Sequence, residues 1–81
     1  MPKTHKIIVY STPTCPWCHR LKDYLDEKKI KYTDYDVSED REKAQEMVNK
    51  SKQMGVPVID IDGTIVIGFD QDKIDKLLDI K

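Results

Sequence analysis

A β-branched apolar run, Ile7-Ile8-Val9-Tyr10, is followed within a few residues by two cysteines three positions apart, Cys15 and Cys18. The run is short and nearly continuous, the pattern of a strand buried on both faces. Ser11-Thr12-Pro13-Thr14 then reads as a loop. Pro16 suits a first helical turn, where a missing N–H costs nothing. Trp17, Leu21, Tyr24, Leu25 and Lys28 follow at three- and four-residue steps, with Leu21 and Leu25 as the core stripe. Any fold of this chain therefore has to place two thiols where a strand's loop enters a helix. The loop that the two cysteines could close is too short to staple a secreted mini-domain. One such pair also supplies only two of the four ligands of a structural zinc site.

The remaining chain continues the alternation of element types. Ile30 to Val37 alternates apolar and polar residues and predicts a half-buried strand. Ser38 is the N-cap candidate of a second helix, in which Ala44, Met47 and Val48 form a thin apolar stripe up to about Lys50. Lys28-Lys29 stand where cations favour the end of the first helix. Val56 to Ile61 predicts a strand with Pro57 near its start, and Asp62-Gly63 is a two-residue hairpin signal before the return strand Thr64 to Ile67. Gly68 ends that strand, and Asp70 caps a last helix with Ile74, Leu77 and Leu78 inside. The order is β-α-β-α-β-β-α. A strand–helix–strand unit makes the first two strands parallel, and the hairpin adds an antiparallel pair. The expectation is an α/β fold: a mixed four-stranded sheet flanked by helices, as one domain over 1–81.

Charge excludes several partners. Lys and Arg number 14 against 15 Asp and Glu, a formal net charge of −1, which argues against a dedicated nucleic-acid binder. The distribution is uneven, +4 over residues 1–32 and −5 over residues 33–81. This is either ordinary solvated surface or a basic first half that favours thiolates. No apolar run approaches the roughly 20 residues that span a bilayer. Met1-Pro2-Lys3-Thr4-His5-Lys6 is polar and does not resemble a secretion signal. A cytoplasmic location and a reducing environment are the expectation, with no membrane partner and a monomeric chain.

The chemistry concentrates at Thr14-Cys15-Pro16-Trp17-Cys18-His19-Arg20. A Cys-x-x-Cys between a strand and a helix reads as a thiol–disulfide redox motif. Cys15 is expected at the helix N-terminus, where unpaired N–H groups and the helix dipole favour thiolate over thiol. Cys18, one turn on, is expected to be less exposed and to resolve the mixed disulfide that Cys15 forms. Trp17 either packs against the helix or gives the substrate a flat apolar wall. Arg20 either supports the thiolate or is simply solvated. Two alternatives stay open. Cys15 could bridge two chains through a metal or iron–sulfur cluster, with His19 as a further ligand. The chain could also be a redox-inert adaptor, whose Cys15 does not react with a thiol probe near pH 6. Val56-Pro57 is a second candidate site: a proline opening a strand suggests a cis bond, and the Val56 backbone is placed to pair with an extended peptide. Gly68-Phe69-Asp70-Gln71 is a third, read either as an anion site at a helix N-terminus or as a plain cap.

Cys15-Pro16-Trp17-Cys18-His19-Arg20 resembles the Cys-Pro-Tyr-Cys centre of dithiol glutaredoxins, with Trp17 in place of Tyr. Gly55-Val56-Pro57 resembles their Thr-Val-Pro segment, and Gly68-Phe69-Asp70 falls where they carry Gly-Gly-x-Asp. The resemblance covers nearly the whole chain and implies the thioredoxin fold. It also implies a disulfide reductase with Cys15 as nucleophile, Cys18 as resolving thiol and disulfide-bearing proteins as substrates. By the same match Thr12, Gln53, Val56, Pro57, Gly68, Phe69 and Asp70 would line a groove for glutathione, a co-substrate rather than a bound cofactor. Three positions depart from the pattern. Thr12 stands where a Lys is usual, Gly55 replaces a Thr, and Ile67 replaces the first Gly of the pair. Gly68-Phe69 is closer to the glutaredoxin-like redoxins that are reduced by thioredoxin reductase, so glutathione and thioredoxin reductase are both expected reductants.

Overall fold

The structure, a computed structural model, describes residues 6–78. The polar leader before Lys6 lies outside the described residues. Seven elements follow in the expected order: β1 (Ile7–Ser11), α1 (Pro16–Glu27), β2 (Thr33–Asp36), α2 (Arg41–Ser51), β3 (Val58–Ile61), β4 (Thr64–Ile67) and α3 (Gln71–Leu78). The strands form one mixed sheet in the order β2-β1-β3-β4. β1 runs parallel to β2 and antiparallel to β3, and β3 pairs antiparallel with β4.

β1 is apolar on both sides because both sides are covered. Ile7 and Val9 join Leu21, Leu25, Ile59, Ile61, Val66, Ile74 and Leu78 in the larger core, which lies under α1 and α3. Tyr10 points the other way and packs with Met47 and Val58 under α2. The period of two along a strand sorts the side chains between these cores. The hairpin forms at Asp62-Gly63 as predicted: both residues have positive φ (52° and 94°), the requirement of a two-residue turn between twisted strands.

Four boundaries differ from the sequence reading. The expected strand over Ile30–Val37 shrinks to Thr33–Asp36. α1 ends in a Schellman motif: Lys29 takes a left-handed φ of 58°, and the N–H groups of Lys29 and Ile30 donate to the carbonyls of Asp26 and Leu25. Ile30 and Tyr32 then pack on the larger core before the strand begins. Lys28 is the C-cap of α1 and Lys29 lies beyond it, so neither occupies the last helical turn. Asp40, not Ser38, caps α2, its Oδ1 accepting from the N–H of Lys43 at 3.1 Å. Ser38 is held in the preceding turn, donating its N–H and its hydroxyl to Asp36 Oδ1. β3 starts at Val58, leaving Val56 and Pro57 in the loop before it.

Candidate functional site

Register brings three loops to one end of the sheet. Tyr10 of β1 pairs with Val58 of β3, and Val58 pairs with Ile67 of β4. The segment after β1, the one before β3 and the one after β4 are therefore neighbours. They carry Cys15, Val56-Pro57 and Gly68-Phe69 respectively.

Cys15 is the N-cap of α1, in extended conformation (φ −95°, ψ 110°), with Pro16 in the first turn. Its sulfur accepts a hydrogen bond from the Cys18 N–H at 3.1 Å, filling the role that Ser or Asp oxygen plays in ordinary caps. On its other side the Cys15 thiol faces the Val56 carbonyl at 3.9 Å. The Cys15 N–H donates to the Thr12 carbonyl at 3.4 Å, and the Pro13 carbonyl accepts from His19 Nε2 at 2.7 Å. Cys15 is partly exposed, whereas Cys18 is fully buried. Both thiols are free. Burial, and then the hydrogen bond with Cys15, pushes the Cys18 thiol up to about 12.

Trp17 is exposed, at 56%. The Arg20 guanidinium lies over its ring, 5.1 Å from the centroid. Lys22, which the sequence reading passed over, sits four residues after Cys18, and its charge opposes the upward shift of that thiol. It is fixed by Asp34 at 3.0 Å and Ser11 Oγ at 3.3 Å. The one-turn spacing from Cys18 was the available signal.

Beside Cys15, Trp17, Val56, Pro57, Gly68 and Phe69 line a groove of about 250 Å³. The Val56–Pro57 bond is cis, as suspected. Gly68, with φ 77°, donates its N–H to the Pro57 carbonyl at 2.8 Å and so joins the two loops. Phe69 leans on Tyr24 of α1, ring centroids 5.6 Å apart. The other three expected groove residues are not in its lining. Gln53 uses both ends of its amide on the backbone of Gly55, at 2.9 and 2.8 Å. Asp70 caps α3, accepting from the Lys73 N–H at 3.2 Å. Thr12 contributes the carbonyl already described. Among the described residues no group of three or more His, Cys, Asp or Glu could hold a metal ion. No helix among them is long and apolar enough to cross a membrane.

The family model for glutaredoxin matches residues 7–66, a stretch that contains both cysteines and the Val56-Pro57 loop. The chain belongs to the glutaredoxin family. A glutaredoxin-like 8.6 kDa protein encoded in a rubredoxin operon of Clostridium pasteurianum is 52% identical over 73 residues, covering 90% of this chain and 97% of that one. Glutaredoxin 3 of Escherichia coli is 34% identical over 62 residues, covering 76% and 75% of the two chains. The crystal structure of a thioredoxin-like protein superposes with a TM-score of 0.85 at 33% identity, over 90% of this chain and 100% of that one. This glutaredoxin-type redox protein thus has the thioredoxin-like fold that the resemblance implied.

Proposed function

We propose that the chain is a dithiol–disulfide oxidoreductase in which Cys15 attacks a substrate disulfide and Cys18 resolves the product. The observation that carries this reading is the pairing of Cys15 Sγ with the Cys18 N–H at the mouth of α1, with the second thiol fully buried beneath it. The Cys15 thiolate displaces one sulfur of the substrate, which leaves as a thiolate and takes up a proton. Cys18 then gives up its proton, attacks the Cys15 sulfur and releases the second substrate thiol. Two electrons leave the protein, which ends with a Cys15–Cys18 disulfide. Glutathione or thioredoxin reductase returns them.

The surroundings support this order of events. Burial keeps Cys18 protonated and out of reach of other disulfides. A mixed disulfide at Cys15 places the target sulfur one helical turn away. The Val56 backbone, outside any strand and facing Cys15, offers an edge on which an extended substrate can pair. The reading includes a monomer acting in a reducing compartment on disulfide-bearing proteins.

The test is reduction of the oxidised protein, followed through Trp17 fluorescence under two reductants. One is glutathione with glutathione reductase, and the other is NADPH with thioredoxin reductase. At least one should reduce the protein fully, and Cys15→Ser should abolish the fluorescence change. A change that persists in Cys15→Ser, or no reduction by either system, contradicts the proposal.

A further inference from the structure

We propose that Lys22 is a positioning residue for the second thiol step: its ammonium, clamped by Ser11 and Asp34, stabilises the Cys18 thiolate as that sulfur attacks Cys15. The role rests on the redox reading above and assigns a residue to its resolving step. Cys18 and Lys22 stand four residues apart on α1, so their side chains are neighbours on one face. Val9 and Ser11 of β1 share one side of the sheet, and Asp34 of β2 pairs with Val9. That side is the one under α1, where Val9 meets Leu21 and Leu25. Lys22 is drawn into this corner, its side chain 21% exposed. Its ammonium donates to Asp34 Oδ2 at 3.0 Å and to Ser11 Oγ at 3.3 Å, and the Ser11 hydroxyl donates to Asp34 Oδ1 at 2.7 Å. The three groups close a ring of hydrogen bonds that fixes the cation. Ser11 is buried and adjoins Thr12, whose backbone hydrogen-bonds the Cys18 sulfur. As an ion pair of partly exposed groups, the bridge adds little stability. Its field on an enclosed thiol is screened far less.

Cys18 must carry negative charge inside the protein when it attacks. Burial opposes this, and so does Cys15 while its own sulfur is free. Once Cys15 is bonded to a substrate sulfur it is neutral, and its opposition ends. The Thr12 backbone and the Lys22 charge remain, and both favour the thiolate. Cys18 Sγ then forms a bond to Cys15 Sγ while the bond from Cys15 to the substrate sulfur breaks. The leaving sulfur takes the electron pair and, from solvent, the proton that Cys18 gave up. His19 and Arg20 of the same helix are engaged away from Cys18, with Pro13 and Trp17. Ser11 is neutral, Val56 and Pro57 opposite Cys15 carry no charge, and Asp34 of β2 is engaged by the ammonium itself.

Stopped-flow reaction of the reduced protein with dipyridyl disulfide, an uncharged reagent, separates the two steps. Cys15 releases the first pyridinethione, and Cys18 the second in a phase independent of reagent concentration. Lys22→Met should slow the second phase about threefold and leave the first as it was. Threefold is what remains of an about tenfold loss of thiolate once the greater nucleophilicity of a more basic sulfur is counted. Lys22→Arg, which keeps the cation, should restore the rate. Lys22→Gln, polar but uncharged, should be as slow as Lys22→Met and serves in its place if that variant does not fold. Carbon NMR of the single labelled cysteine in Cys15→Ser reads the charge effect by itself. Cys18 should titrate about one pH unit higher when Lys22→Met is added to that protein. A clamp that only held the helix to the sheet would lower the urea midpoint and leave this titration in place. An unmoved titration, equal slowing by Lys22→Arg and Lys22→Met, or slowing of both phases alike overturns the proposal. Release as fast from Cys15→Ser as from the parent, or a single equivalent from the parent, overturns the redox reading and the role of Lys22 with it.

Discussion

Cys15 and Cys18 are the same residue in opposite environments. Cys15 stands at a helix mouth, partly open to solvent, while Cys18 is enclosed and shifted upward to about 12. Iodoacetamide at neutral pH should therefore add one label per folded chain, at Cys15, and a second only after unfolding. Peptide mass mapping checks this, and prompt labelling of Cys18 would contradict the burial. The sign of the linkage follows from the shift. The buried thiol's contribution to stability is full below an unperturbed thiol value of about 8.5. It is lost as pH rises toward about 12, because the unfolded chain ionises first. The thiol pair was legible from spacing alone. Its asymmetry follows from periodicity, since Cys18, Leu21 and Leu25 share the buried stripe. The seat of Arg20 on Trp17 was not legible, because a three-residue step allows several rotamers and packing selects one.

α2 is fastened to the sheet by a polar network under an otherwise apolar face. Tyr10 donates its hydroxyl proton to Glu46, and Lys50 Nζ donates to the Tyr10 hydroxyl at 3.0 Å and to Asp60 Oδ2 at 2.7 Å. Asp60 also accepts from the Gly63 N–H at 2.7 Å, which ties the network to the hairpin. The carboxylate of Asp60 is buried, so the cation is needed. Lys50→Met should lower stability by about 1–3 kcal/mol in urea unfolding, the cost of leaving a buried polar group unpaired. An unchanged midpoint would contradict the network's role. The hydrogen bonds to Asp60 and Tyr10 raise the Lys50 value, and the Tyr10 hydroxyl lowers that of Glu46. Glu46's contribution is thus present above about pH 4.3 and lost as pH falls; that of Lys50 is present below about 10.4 and lost as pH rises. Sequence periodicity showed Asp60 only as a polar interruption in a strand, because its partner lies on another element. Ser38 misled for a related reason. Asp36 offered it a bond within the turn, and Asp40, two residues on, was left to cap the helix.

At the scale of the whole molecule, the sheet order β2-β1-β3-β4 turns three distant segments into one site. Element order and the hairpin signal predicted the parallel β1–β2 pair and the antiparallel β3–β4 pair but not the β1–β3 pairing that joins them, and the resemblance put Cys15, Val56 and Gly68 around one groove. The groove residues divided according to what else they could bond. Val56, Pro57, Gly68 and Phe69 carry no polar side-chain atoms and stand in the lining, whereas the side chains of Gln53 and Asp70 are bonded to nearby backbone. The central claim is that two thiols act in sequence, and one measurement addresses it directly. Cys18→Ser is mixed with a disulfide-bearing protein substrate and quenched in acid, and the products are mapped by mass spectrometry. A mixed disulfide should accumulate at Cys15, with no further turnover of that substrate. Full catalytic reduction by the Cys18→Ser protein, with no trapped adduct at Cys15, would contradict the account.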